Sequence, residues 1–447
     1  MASAPGFSAA ASAALGGPEW LRSFRASAFE RWEGADLPSE AEETWRYSRI
    51  GELDIERWAP ATAVTPDRDT ARLPADRTFA HTSGMVWTQG GRVFASDVSE
   101  EAAAKDVAVT SVRTALASNA PWALRASQEA SDLLGTVAVA EDAFDHLAGA
   151  FVEDVIVISV PESVVVEHPV VVVHWDDAAP SRSQVSFPRT LVVAAPGSTL
   201  QVVEIAASAG GAAGSMSTLS LPVTEVVVGD GAQVAYAYLQ DLSAADWQLC
   251  RQAFSAGKDS SLISFTAAFG GDYCRVRTDS YSVGSGAKTR LLAAYFGTGT
   301  QMHDFRTLQD HQAPSTRSNL LFKGGVGGTA RSVYSGLIRI RKGAYRSEAF
   351  QENRNLVLSP GAHADSVPNL DIAENDVRCS HASAVGPVDP DQLYYLESRG
   401  IEPEVAESLV VEGFFEDIVA RAPEMPVLAE LVGGHVRSKL AELEAGL

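Results

Sequence analysis

Two stretches decide the fold, PGSTLQVVE (196–204) and DGAQVAYAY (230–238). Each sets a Gly beside a small or polar residue, then runs into alternating apolar residues. Alternation with a period of two marks a strand, and a Gly ahead of it supplies a turn that a Cβ resists. The signal returns in SGAKTRLLA (285–293), GGTARSVYS (327–335), KGAYRSEAF (342–350) and PGAHADSVP (360–368). The spacing is uneven (231 − 197 = 34; 286 − 231 = 55), so there is no strict short repeat. It suits stacked β coils whose corners are turned by Gly. DVIVISV (154–160), VVVEHPVVVVHW (164–175), RTLVVAA (189–195) and TEVVVG (224–229) add further short strands, and no helix of ordinary length breaks the series. A β-sandwich is the competing architecture. Strand over most of residues 151–386, with recurrent corners, favours a β-helix or solenoid.

Outward from this core the character changes on both sides. Residues 1–150 read as a mixed, largely helical region. MASAPGFSAAASAALGG (1–17) looks like a flexible tail. PEWLRSFRASAFERWEG (18–34) carries Trp20, Leu21, Phe24, Ala28 and Trp32 at helical spacing, with Pro18 at its start and Gly34 as a stop. Trp45 and Tyr47 suggest an anchored loop, and Gly90-Gly91 a hairpin within GMVWTQGGRVFAS (84–96), flanked by Pro/Asp/Thr-rich linkers. A helical stretch is expected around 122–150. Residues 387–447 read as a helical domain. Asp389-Pro390 opens a helix that stops at Gly400, and Val405, Leu409, Val410, Phe414, Ile418 and Val419 form an apolar stripe on the next. That stripe reads as core. The expected fold is mainly β with helical ends, a parallel β-helix (solenoid) core in the middle.

Composition narrows the function. Among 447 residues, 35 Lys+Arg face 57 Asp+Glu, a formal charge of −22. Such a chain repels phosphate backbones, so nucleic-acid binding is disfavoured. RIRKGAYR (339–346) is the nearest approach to a basic block and reads as a solvated strand face. No apolar run approaches the ~20 residues of a membrane span. The three cysteines, Cys250, Cys274 and Cys379, form no CxxC, and the first residues lack a basic leader pattern. A reducing, cytoplasmic setting is expected.

Few motifs carry chemistry. GGVGG (324–328) follows Lys323 without a GK[ST], so it reads as a β corner and no ATP site is expected. MHDFRTLQDHQ (302–312) offers His303, Asp304, Asp310 and His311, which read as polar faces of the coil. Cys250 and Cys274 read as packing residues. DVRCSHASAVG (376–386) differs, because Cys379 and His381 lie two apart on a strand and share one face. The pair can be a core thiol beside a histidine, a nucleophile with its base, or half of a site that another chain completes. Two ligands fall short of a structural zinc site, whereas thiolate and imidazole suit iron or an iron–sulfur cluster. A carbohydrate-active β-helix enzyme using groove carboxylates is the alternative reading of fold and charge.

Residues 376–401 resemble the C-terminal signature of the SufB/SufD family of iron–sulfur cluster assembly proteins. The resemblance rests on Cys379-Ser380-His381, Asp389, Leu393-Tyr394-Tyr395-Leu396 and Ser398-Arg399-Gly400-Ile401, with LDIAENDVRC (370–379) and EETWRYSRI (42–50) similar as well. SufB-like chains have a cysteine where Leu396 stands and usually lack the Cys-Ser-His run. Ala382-Ser383-Ala384 and Val367 depart from the commoner family residues. The resemblance implies a right-handed parallel β-helix between helical regions and a non-enzymatic scaffold subunit. It implies pairing with a SufB-like paralogue through the β-helix and with a SufC-like ABC-type ATPase through the C-terminal helices, and a homodimer when isolated. It further implies that no cofactor is held stably, and that a transient iron–sulfur cluster is shared with the partner. His381 is then the metal ligand, with Cys379 beside it, and Tyr394, Leu396, Arg399, Gly400 and Ile401 meet the ATPase.

Overall fold

A computed structural model describes residues 6–61, 79–176, 183–208 and 218–446. The linker before the hairpin falls mostly at 62–78, outside the described residues. From Ile156 to Gly386 the chain winds as a parallel β-solenoid of about seven turns. Successive strands alternate between two sheets. One contains Tyr273–Ser282, Met302–His311, Arg331–Ile340 and His363–Ile372; the other contains Lys288–Gly297, Arg317–Val326, Ser347–Val357 and Val377–Gly386. Tyr273 pairs with Met302 and Met302 with Arg331, so each of these coils advances 29 residues (302 − 273, 331 − 302).

The corners explain the uneven Gly spacing. Ser163, Gly197, Gly231, Asp259, Gly286, Ser315 and Arg346 occupy equivalent corners, all with φ between +54° and +76°. Their N–H groups form a ladder along the stack. Gly231 donates to the Lys258 carbonyl at 2.8 Å, Asp259 to Ser285 at 2.9 Å and Ser315 to Tyr345 at 2.9 Å. The gap of 55 residues between Gly231 and Gly286 is therefore two coils, with Asp259 at the corner between them. Asp tolerates the left-handed region better than most residues. At Gly286 a Cβ would also stand 2.2 Å from Asp259 Oδ1, so that carboxylate would have to move aside. Gly328 belongs to the opposite corner, so the repeated signal in the sequence mixes two series.

Both outer faces of the solenoid are covered, which is why many of its strands are buried on both sides. The N-terminal elements lie on one sheet. Glu225 accepts N–H bonds from Gly135 (2.8 Å), Val137 (2.9 Å) and Ala138 (2.9 Å), and pairs with Arg189. Trp45 is buried under the Arg275 guanidinium, 3.8 Å away, and anchors its loop, whereas Tyr47 is exposed and does not. Helices Glu19–Glu33, Pro121–Leu133 and Ala143–Phe151 and the hairpin at Gly90-Gly91 also lie where the sequence places them. The opening stretch does not. It is no free tail from Gly6 onward, because Phe7 is fully buried among Trp32, Phe151 and Phe187, 5.3–6.5 Å away in edge-to-face packing, and Ala9–Ala13 is helical.

Helices Pro403–Val419 and Val427–Glu444 cover the other sheet. Phe415 stacks on Phe296 (5.8 Å) and His435 on Phe269 (4.9 Å). Lys323 Nζ, almost buried, donates to the Phe414 carbonyl at 2.9 Å and to Asp417 at 2.6 Å. Burial disfavours a charged His435, yet Asp241 at 3.2 Å and the Leu431 carbonyl outweigh it and raise its pKa. The buried stripe of the first helix is Ala406, Val411, Phe415 and Ile418; Val405 and Leu409 are about half exposed, contrary to the expected core stripe.

The solenoid interior is largely apolar in its early coils, with a polar cluster built around one carboxylate, Glu204. Glu204 accepts from His174 (2.7 Å), Thr190 (2.7 Å), Thr224 (2.8 Å) and Tyr236 (2.6 Å). Burial penalises its charge, but these bonds prevail and hold its pKa below the usual value. Replacing Phe7 by Ala is expected to cost about 3–5 kcal/mol of stability. Urea denaturation checks this, and an unchanged midpoint would restore the flexible tail.

Candidate functional site at the open end of the solenoid

The two ends of the stack differ. At the N-terminal end, hairpin strands Gly84–Gln89 and Arg92–Val98 extend one sheet, Ala108–Ser111 closes the other with antiparallel pairing, and Ala102 reaches the core. At the C-terminal end, His363–Ile372 and Val377–Gly386 are the last strands, and among the described residues nothing pairs with their outer edges. Their side chains are mostly exposed, including the apolar Val367, Leu370, Ile372 and Val385. An edge of this length is a template for another strand unless something blunts it.

Cys379 and His381 lie on the last strand, in register with Ala349 and Gln351 of the coil beneath. Cys379 packs with Val377 on Ile338, Ile340, Ala344 and Ala349. Its face therefore points into the coil, and His381 shares that face by strand alternation. His381 is exposed because no further coil covers it. Burial against the aliphatic cluster raises the Cys379 thiol pKa, opposed in part by a backbone hydrogen bond at Ala349. The pair thus combines an available imidazole with a thiol held in its neutral form. Among the described residues no three His, Cys, Asp or Glu side chains converge as a metal site.

The other histidines and cysteines lie elsewhere. His303 and His311 are buried inside the solenoid, and burial lowers each pKa to about 4. Asp304 is buried between Arg275 and Arg306, both at 2.6 Å, and Asp310 is buried against Arg341. The sequence read these four residues as polar faces of the coil; all four are buried, the histidines in the interior and the aspartates in ion pairs. Cys250 and Cys274 are core residues with raised thiol pKa values, as expected of packing cysteines. An outer groove of about 400 Å³ lies along Arg275, Arg277, Arg306 and Arg339. Of its three carboxylates, Glu43, Glu141 and Asp279, the last two are paired with Arg277 at 2.8 and 3.0 Å. It offers no pair of free carboxylates of the kind sugar hydrolysis uses.

The C-terminal helices present the remaining expected residues. On Pro390–Ser398, Tyr394 is 73% exposed and Tyr395 58%. Arg399 stacks over Tyr395 at 5.2 Å, Gly400 turns the chain with φ +87°, and Leu396 and Ile401 are half-buried. Sequence reading missed a neighbouring feature, a groove of about 420 Å³ between the last two helices, lined by Phe415, Val419, Met425 and Val432 and rimmed by Glu412, Glu416 and Arg437. Pro423 and Pro426, which bend the chain there, were the available signal. Among the described residues no helix is long and apolar enough to cross a membrane.

Residues 177–414 match the family model described as SUF system FeS cluster assembly, SufBD core domain. The chain belongs to this SufBD family. The iron–sulfur cluster assembly protein SufD of Bacillus subtilis is 29% identical over 428 residues, 93% of either chain. That near end-to-end likeness places the chain on the SufD side of the family, in keeping with Leu396 and the Cys-Ser-His run. An iron–sulfur cluster assembly SufBD family protein of Mycobacterium tuberculosis is 40% identical over 229 residues, 49% of this chain. The chain spans 57% of that relative's length. A SufBD family protein of Synechocystis is 26% identical over 404 residues, 89% of this chain and 85% of its own length.

Thiol burial has a direct readout. In the native isolated chain, iodoacetamide is expected to modify Cys379 slowly at neutral pH and faster as pH rises, because alkylation requires the thiolate. Cys250 and Cys274 are expected to react only after unfolding. Site-resolved mass spectrometry checks both, and fast neutral-pH labelling of Cys379 would contradict its burial against Ile338 and Ile340.

Proposed function

We propose that this chain is a non-enzymatic scaffold subunit of a SUF-type iron–sulfur assembly complex. The observation that carries the reading is the open end of the solenoid, where two unpaired strand edges and exposed apolar side chains frame His381. A SufB-like paralogue with an equivalent open end would continue both sheets, satisfying the edges by main-chain pairing. His381 would then lie in the interface and meet ligands from the partner. A neutral imidazole ligates iron, whereas Cys379 is a poor ligand in the isolated chain because its thiol is held neutral. The cluster is cargo, assembled between two chains and passed on.

The C-terminal helices are the proposed contact for a SufC-like ABC-type ATPase. Tyr394, Tyr395, Val405 and Leu409 are exposed large apolar residues on two consecutive helices, and the groove between the last two helices is apolar with a charged rim. Lys323 and Phe415 tie these helices to the sheet that ends in His381, so a force applied to the helices would reach the solenoid. A cytoplasmic setting belongs to the same reading.

Co-expression with SufB-like and SufC-like partners, purification on a tag carried by this chain, and assay of iron and sulfide test the proposal. A three-part complex is expected. His381→Ala is expected to retain both partners and lose most of the iron and sulfide. Failure to recover an ATPase would contradict the scaffold reading; full iron and sulfide in His381→Ala would contradict the role of that residue.

A further inference from the structure

The amide of Gln351 has no structural explanation within this chain. It faces the solenoid interior and is 2% exposed, yet neither its Oε1 nor its Nε2 has a hydrogen-bond partner among the described residues. Neighbouring amides on the same strand are satisfied. Asn353 Nδ2 donates to the Tyr295 hydroxyl at 2.9 Å, and Asn355 Nδ2 to Asn353 Oδ1 at 2.8 Å. Space for the Gln351 amide is made on the facing sheet by Gly336, where a Cβ would stand 2.7 Å from both polar atoms. One coil below, the register partner of Gln351 is Leu320, and below that Leu291. An apolar side chain therefore fits this column, and a buried amide without partners is a local violation of the kind kept at functional sites.

The residue stacked on the other side of Gln351 is His381. Register partners on parallel strands point the same way and lie about 4.8 Å apart. The inward packing of Cys379 fixes the face of the last strand, so the imidazole projects from the same face as the amide, with the open end on its far side. A histidine that ligates a metal through one ring nitrogen presents its other N–H to an acceptor, which sets the tautomer. Resting on the reading of His381 as a cluster ligand, we propose that Gln351 is a positioning residue for His381. Its amide oxygen accepts the N–H of one ring nitrogen and leaves the lone pair of the other facing the open end.

The test uses the full-length chain labelled with ¹⁵N, with the ring-nitrogen signals of His381 assigned by their loss in His381→Ala, at a pH where the ring is neutral. The wild type is expected to hold one neutral tautomer. Gln351→Leu should move the ratio to that of a free imidazole, and Gln351→Glu, which keeps the acceptor, should restore a single tautomer. Gln351→Met repeats the Leu measurement with an unbranched side chain. Thermal melting of Gln351→Leu should stay close to wild type, because one hydrogen bond to an exposed imidazole, of small net worth, is exchanged for an apolar group that fits the column. In the co-expressed complex the same variant should lose about tenfold in bound iron and sulfide, the scale typical of an outer-shell partner, and Gln351→Glu should retain them. An unchanged tautomer ratio in folded Gln351→Leu and Gln351→Met overturns the proposal. Full iron and sulfide in His381→Ala overturns the underlying ligand reading instead, and the tautomer measurement separates the two failures.

Discussion

Each coil of a β-solenoid satisfies the backbone of its neighbours, so the stack as a whole is left with two unsatisfied ends. Everything else in this chain is arranged around that constraint. The hairpin and an antiparallel strand close one end, and the N-terminal elements and C-terminal helices cover the two faces. What is left among the described residues is the open C-terminal end with the outer edges of its two last strands, and His381, on the same strand face as Cys379, lies there.

Placement of the chemistry follows from burial. Inside the stack, a titratable group must be paired or neutral: Glu204 is held ionised by four donors, and His303 and His311 are driven toward the neutral ring. On the last coil that pressure ends. His381 is in register with Gln351 and has no coil above it, whereas Cys379, only two residues earlier, is still held against Ile338 and Ile340. The difference between a candidate ligand and a packing residue is thus two positions along the strand. The C-terminal helices extend the same logic, because the outer sheet face they cover bears apolar residues such as Phe296 and Phe265, together with the buried Lys323.

Much of this was legible in the sequence, for identifiable reasons. Alternating Val-rich runs and recurrent Gly revealed coils, and the Cys-Ser-His run marked the last strand. The coil length was hidden because Asp259, Ser315 and Arg346 take the same left-handed corner as Gly197 and Gly231, and a side chain there gives no compositional signal. Phe7 was misread because a single aromatic in an Ala/Ser stretch does not alter its composition, although it determines whether the stretch is anchored. Val405 and Leu409 fit helical periodicity as well as Val411 and Phe415 do, and only the sheet beneath decides which set is covered. Gln351 was invisible for a similar reason, since an amide on a strand reads as solvated until its two polar atoms are found buried and unpartnered.

The central claim is that the open end of the solenoid is the surface another chain completes. Amide hydrogen exchange along residues 363–386, measured for the isolated chain and again with the proposed SufB-like partner, tests it most directly. The account predicts fast exchange at the outer-edge amides of Val377–Gly386 and His363–Ile372 in isolation, and strong protection of both strands in the complex. A complex that forms while these two strands continue to exchange as in the free chain would contradict it.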